Sequence, residues 1–270
     1  MKKIHLISGL PRSGSTLLCN ILNMNPNFYA TATSPMVDIL RNIRSTFSHN
    51  PTFKTHNRLE EFEEMRKGMR GFINGFYDDK NVVFDKSRGW TINLMLLDEV
   101  LGNTDTKVIW TYRDPIDVIT SIEKRHRETI LLENVDEPQF DMTTLEKRVS
   151  HFISDGGLVG RPIKLIEDIQ KMGYTDRILI VNYKHLTETP QIILNQIHEF
   201  LGEEVYDYGK NNFTDLKQTI FEFDGQYNYK FMHNIVEGEI TYKKHKTMLP
   251  PDLIDRINQR FSWFTSLIKN

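Results

Sequence analysis

Short apolar runs interrupt an otherwise polar chain, and their spacing predicts alternating strands and helices. Residues 4–7, 82–84, 108–112 and 178–181 are brief and rich in β-branched or aromatic side chains. Runs of that kind suit parallel strands covered on both faces. A helical period follows each one. Residues 15–24 carry Leu17, Leu18, Ile21 and Leu22, residues 92–101 end at Gly102, and residues 191–201 end at Gly202. Both glycines stand where helices close in the left-handed conformation. Residues 115–125 open with Asp114 as N-cap and Pro115 at the first helical position. A charged amphipathic helix is expected over 60–76, ahead of the second strand. The pattern predicts an α/β fold of three layers, with a central parallel sheet and crossover helices.

Two stretches break the rhythm. Residues 133–144 are acidic, contain Pro138 and lack a period, which predicts a surface loop. Residues 203–251 are rich in Tyr, Phe, Asn and Lys without a sustained period, which predicts a loop-rich C-terminal cap. A closing helix over 252–268 presents Leu253, Ile254, Ile257, Phe261 and Phe264. There is no repeat and no linker, so residues 1–270 are expected to form a single domain.

Composition narrows the function. The net charge of −2 offers no global attraction to nucleic acid or an anionic membrane. The one cysteine, Cys19, excludes an internal disulfide and points to a reducing compartment, where it serves packing. No segment approaches the roughly 20 apolar residues of a membrane span. The chain is expected to be soluble and cytoplasmic, with the Asn212-Phe213-Thr214 sequon unglycosylated.

The densest chemistry lies in Gly9-Leu10-Pro11-Arg12-Ser13-Gly14-Ser15-Thr16, between the first strand and its helix. Such a turn aims backbone N–H groups and a helix N-terminus at one point and forms a P-loop-like phosphate-binding loop. The spacing is that of G-x-x-x-x-G-K-[ST], except that Ser15 replaces the lysine. Arg12 is the nearby cation. The loop therefore suits a phosphate-bearing donor other than ATP.

The third strand ends in Tyr112-Arg113-Asp114-Pro115, and Asp117, Ser121 and Arg125 share one face of the next helix. Ligands of open α/β sheets bind beyond that strand edge. Arg113, Ser121 and Arg125 can grip a second phosphate there. The alternative is a plain Arg113–Asp117 ion pair with Ser121 facing solvent. Lys86 closes the second strand at the same edge, where it either joins Arg12 at one centre or is a solvated terminus. Trp90 and Trp110 are expected in the core. No cluster has metal-ligand spacing, so no metal is expected.

Taken in order, these motifs resemble the sulfotransferases that use 3′-phosphoadenosine 5′-phosphosulfate (PAPS). The first loop is similar to that family's 5′-phosphosulfate loop, best matched by the branch that holds tyrosylprotein sulfotransferases. Tyr112-Arg113-Asp114-Pro115 with Ser121 is similar to its 3′-phosphate motif, and Arg125 to a further arginine of the tyrosylprotein branch. Lys86 matches a lysine assigned to the transferring sulfuryl group. Tyr183-Lys184-His185-Leu186, continuing to Phe200-Leu201-Gly202, is similar to a segment whose tyrosine lies near the nucleotide. The resemblance spans residues 4 to 202.

What the resemblance implies is metal-free, in-line attack on sulfur by an acceptor hydroxyl or amine, with adenosine 3′,5′-bisphosphate (PAP) leaving. Lys86 and Arg12 are the expected catalytic cations. Ser13, Gly14, Ser15 and Thr16 hold the 5′-phosphate, and Arg113, Ser121, Arg125 and Tyr183 complete the nucleotide site. The chain departs from the family at the general base. Arg88 stands where cytosolic members carry histidine, and residues 31–35 contain no carboxylate. Asp38, Asp85 and a cap histidine are the candidates. The cytosolic "RKG" tail is absent, and Lys243, Lys244 and Lys246 lie in a comparable place. The acceptor is a small molecule, a saccharide or a peptide; the aromatic residues of the cap can bind it or form core. The oligomeric state is not legible. The competing readings are a P-loop nucleotide kinase or NTPase, recognised by binding of ATP with magnesium, and a non-catalytic nucleotide-binding protein, recognised by bisphosphate binding without turnover.

Overall fold

A computed structural model describes residues 2–55, 58–77, 80–103, 106–128, 142–210, 212–222, 233–242, 244 and 246–269. Of the expected surface loop, only Met142, Thr143 and Thr144 lie among them, and Lys243 and His245 lie outside.

The chain opens with β1 (Lys3–Gly9), α1 (Ser15–Leu22), β2 (Phe28–Thr33), α2 (Met36–His49) and α3 (Arg58–Phe76). It continues with β3 (Val82–Lys86), α4 (Trp90–Leu101), β4 (Val108–Tyr112) and α5 (Pro115–Glu128). After α6 (Leu145–Ile153) and α7 (Gly160–Lys171) come β5 (Ile178–Asn182), α8 (Tyr183–Glu188), α9 (Pro190–Leu201) and α10 (Pro251–Lys269). The predicted strands and their following helices are all present, and α10 matches the expected closing helix.

The sheet is five-stranded and parallel throughout, in the order β2-β3-β1-β4-β5. Strand alternation sends Ile7, Phe84, Ile109 and Val181 to one face, against α1, α9 and the cap residues Tyr208, Phe213, Leu216 and Ile220. Leu6, Val83 and Val108 go to the other face, against α2, α3 and α4. Trp110 and Tyr112 extend that face under α5, α6, α7 and α10. The result is helix, sheet, helix. Trp90 and Trp110 are fully buried, as expected of core residues. Cys19 is also buried, and burial pushes its thiol up to about 12, which leaves it packing and no reactivity.

The structure adds elements that the hydrophobic pattern did not predict. β2 is an edge strand of sequence Phe-Tyr-Ala-Thr-Ala-Thr, whose alanines give little apolar signal. In α2 only Met36, Val37 and Leu40 are buried, all near its start. The described residues of 203–250 contain neither helix nor strand, which is the expected cap. Tyr208 and Phe213 there belong to the core, while Phe221 is 76% exposed.

Candidate active site

The strand order places β1 between β3 and β4, so the loop after β1 lies between the ends of its two neighbours. Ile7 pairs with Lys86 and Gly9 with Thr111, which sets the loop level with both strand ends. Left-handed conformations at Arg12 (φ 59°) and Gly14 (φ 88°) curl the chain into α1. Loops of that kind turn main-chain N–H groups into an anion-binding concavity. Gly9 (φ 136°) approaches β4 so closely that an added Cβ would lie 2.2 Å from the carbonyl oxygen of Thr111. At Gly14 a Cβ would lie 2.5 Å from the ring of Tyr183. Gly9→Ala is therefore expected to cost ~2–4 kcal/mol from strain and overpacking. Thermal unfolding checks this, and a variant that melts with the wild type contradicts it.

The cradle's side chains divide into two groups. On the β4 side, Arg113 is buried, with Nη1 donating to the Arg12 carbonyl (3.4 Å) and Nε 3.8 Å from Asp117 Oδ2. Its guanidinium lies over the Tyr183 ring at 4.8 Å, a cation–π geometry. Arg12 Nε donates to Ser121 Oγ at 3.3 Å. Arg12 thus sits with Ser121 and Arg113. Asp114 Oδ1 accepts from the Ile116 N–H at 2.8 Å and caps α5 as expected. Arg125 Nη1 donates to Glu128 Oε2 (2.8 Å) in the last turn of α5. Tyr242 donates to Asp117 (3.1 Å), and Thr247 meets Thr120 (3.2 Å), so the cap runs along α5. Lys244 and Lys246 fall between those two anchors and are exposed.

On the β3 side stands Lys86, 6% exposed. Its Nζ donates to Thr16 Oγ1 (3.3 Å) and to Glu222 Oε1 (2.5 Å). Thr33 donates to the same Glu222 oxygen from its N–H (3.2 Å) and its hydroxyl (3.1 Å). His233 Nε2 lies 3.4 Å from Glu222 Oε2. Burial pushes the Glu222 carboxyl up, but the Lys86 charge and hydrogen bond, with His233 and Thr33, outweigh it and hold it below the ordinary glutamate range. Asn20 on α1 delivers Glu222 to this place. Its buried Oδ1 accepts from the Thr219 N–H (2.6 Å), the Thr219 hydroxyl (3.1 Å) and the Ile220 N–H (3.2 Å).

Other expected side chains point elsewhere. The Ser13 hydroxyl is turned inward, bonded to the Leu10 carbonyl and Thr111 Oγ1, both at 2.6 Å. Ser15 opens α1. Asp85 has the opposite strand parity from Lys86 and is buried on the α3–α4 side. There it accepts from the Tyr77 hydroxyl (2.8 Å) and the Trp90 indole, and burial raises its carboxyl. Asp38 is 69% exposed and pairs with Arg41. Neither Asp85 nor Asp38 reaches the Lys86 centre. Sequence reading missed Glu222 because its only signal is spatial: 136 residues separate it from Lys86.

A search of curated protein sequences finds no significant match. Among solved structures, the fold is similar to the sulfotransferase domain of the curacin biosynthetic pathway, with a TM-score of 0.54 and 15% identity over 97% of this chain and 98% of that one. It is similar to the sulfotransferase domain of the Synechococcus PCC 7002 olefin synthase, with a TM-score of 0.51 and 18% identity over 97% and 96% of the two chains. A mouse sulfotransferase complexed with PAP gives 0.53 and 14% identity over 97% and 84%. These likenesses establish the fold. The profile of the sulfotransferase domain family matches residues 3–259, nearly the whole sequence, and by that match the chain belongs to the sulfotransferase domain family.

Proposed function

We propose that this sulfotransferase uses PAPS as donor and transfers its sulfuryl group to a hydroxyl or amine of a small molecule, saccharide or peptide. One observation carries the choice of donor. A single phosphate loop is flanked by Lys86 with Thr16 on one side and by Arg113, Arg12 and Ser121 on the other. A donor with a 5′-phosphosulfate and a separate 3′-phosphate satisfies both groups. ATP has no 3′-phosphate and would leave the second group without its anion, and sites built for polar partners discriminate strongly against ligands that lack them.

The left-handed cradle at Gly14 and the N-terminus of α1 fit the 5′-phosphate. Thr16 and the loop main chain hold it, while Tyr183 packs beneath the loop and under Arg113. Lys86 meets the charge that grows on the bridging oxygen as the sulfur–oxygen bond breaks. Donors fixed in advance toward developing charge are commonly the largest catalytic contribution. The whole chain is proposed as one catalytic domain. No described helix is long and apolar enough to cross a membrane, and we place the enzyme in the cytoplasm, where a lone buried Cys19 needs no partner.

A thermal-shift series tests the donor. PAP is expected to raise the melting temperature by about 5 °C at a hundredfold excess over its Kd, where linkage supplies about 2.7 kcal/mol. ATP, ADP and AMP are expected to do far less at the same concentration. ATP equalling PAP would overturn the assignment.

A further inference from the structure

We propose that Glu222 is the general base of the transfer, taking the acceptor's proton on Oε2 while Oε1 holds the carboxylate in place. The proposal rests on the reading of the site as one for PAPS. Its first support is the asymmetry of the two oxygens. Oε1 accepts from Lys86 and twice from Thr33. Oε2 is buried and makes no hydrogen bond among the described residues, with only His233 3.4 Å away. One oxygen is an anchor, and the other keeps its lone pairs.

The second support is position. Glu222 shares a hydrogen bond with the lysine that faces the transferring group, so it stands at the point of transfer. Its side chain is 4% exposed, which keeps bulk water from competing for the proton. The adjoining Phe221 is exposed and marks the outer side of the same segment. Of the two carboxylates read from the sequence as candidates, Asp85 faces the opposite side of the sheet and Asp38 lies on the surface.

The step balances without a redox partner. The acceptor O–H gives its proton to Oε2 as its oxygen bonds to sulfur. The bond from sulfur to the bridging oxygen breaks, and its electron pair leaves on the 5′-phosphate of PAP. Lys86 is drawn toward that oxygen as charge builds there. Its hold on Oε1 weakens, and Glu222 becomes more basic as the proton arrives. Among the described residues the ionisable groups facing Glu222 are Lys86 from β3, His233 from the cap and Cys19 from α1.

Glu222→Gln keeps the shape of the side chain and removes the base. The assay follows radiolabelled sulfuryl release from PAPS to water and to a panel of simple phenols and alcohols, with calorimetry of PAP binding alongside. The expected result is a loss of about 10²–10³-fold in transfer, within the usual range for a general base, with PAP affinity within about threefold of wild type. Glu222→Asp retains a carboxylate and is expected to recover part of the rate, which separates lost chemistry from lost folding. Transfer by Glu222→Gln that equals or exceeds wild type would overturn the proposal and show that Glu222 only restrains Lys86. Wild-type enzyme that binds PAP yet transfers to none of these acceptors also overturns it, since a base at the transfer point activates any hydroxyl that reaches it. Wild type that fails to bind PAP would instead sink the donor reading.

Discussion

Lys86→Ala is expected to slow sulfuryl transfer by about 10²–10³-fold while weakening PAP by much less than that. The reason lies in which atoms the lysine meets. Its Nζ is held by Thr16 on one side and Glu222 on the other, where the transferring group sits in the proposed complex. PAP keeps the bridging oxygen but lacks the sulfuryl group, so it reports only part of the loss. Arg113→Ala is expected to do the opposite, weakening PAP by about 10–100-fold, because the proposed charge-assisted contact to the 3′-phosphate would be present in donor and product alike. Lys86→Ala also strands the buried Glu222 carboxylate, so its melting temperature falls and rates must be normalised to folded protein. Calorimetry with PAP on both variants decides the matter. Equal weakening of PAP by the two substitutions would make Lys86 a nucleotide clamp and remove its catalytic role.

Arg148→Met is expected to cost about 3–5 kcal/mol, the usual penalty for removing one partner of a buried ion pair. Glu123 on α5 is fully buried and accepts from Arg148 Nε (2.9 Å) and Nη2 (2.8 Å). The pair fastens α5, which carries Ser121 and Asp117, to α6. Burial pushes the Glu123 carboxyl up, but the hydrogen bonds and charges of Arg148 and Arg127 outweigh it and hold it below its ordinary value of 4.5. Its folded pKa is thus depressed. The stabilisation is complete above the unfolded value and is lost as pH falls through the folded one. The melting difference between wild type and Arg148→Met is expected to shrink over that acid range. Arg127 is half exposed and pairs with the same carboxylate from solvent, so Arg127→Ala is expected to cost no more than about 1 kcal/mol. Denaturant unfolding of the two variants at neutral pH measures both, and similar costs would contradict the burial argument.

Local signals explain why much of the site was legible. The loop from Gly9 to Thr16 announces itself through residues that tolerate left-handed backbone and close approach, and the structure places such backbone at Gly9, Arg12 and Gly14. Asp114 and Pro115 start α5, while Gly102 and Gly202 close α4 and α9 in the left-handed conformation. Those are consequences of one or two residues and their immediate neighbours. β2 escaped notice because an edge strand covered mainly by alanine and threonine lacks an apolar run. The parity of β3 was readable, since adjacent residues of a strand face opposite ways, and it alone separates Asp85 from Lys86.

The amino-acid order by itself determined the strands at 4–7, 82–84, 108–112 and 178–181, the tight loop from Gly9 to Thr16, and the cations that end β3 and follow β4. Each depends on backbone sterics, capping or apolar periodicity within a few residues. Tertiary structure alone decided that β1 lies between β3 and β4, that Arg12 meets Ser121, and that Asn20 holds the cap so that Glu222 meets Lys86. The last of these depends on closing a sequence separation of 136 between Lys86 and Glu222. Such a contact is set by the packing of the whole sheet and cap, and no local pattern encodes it.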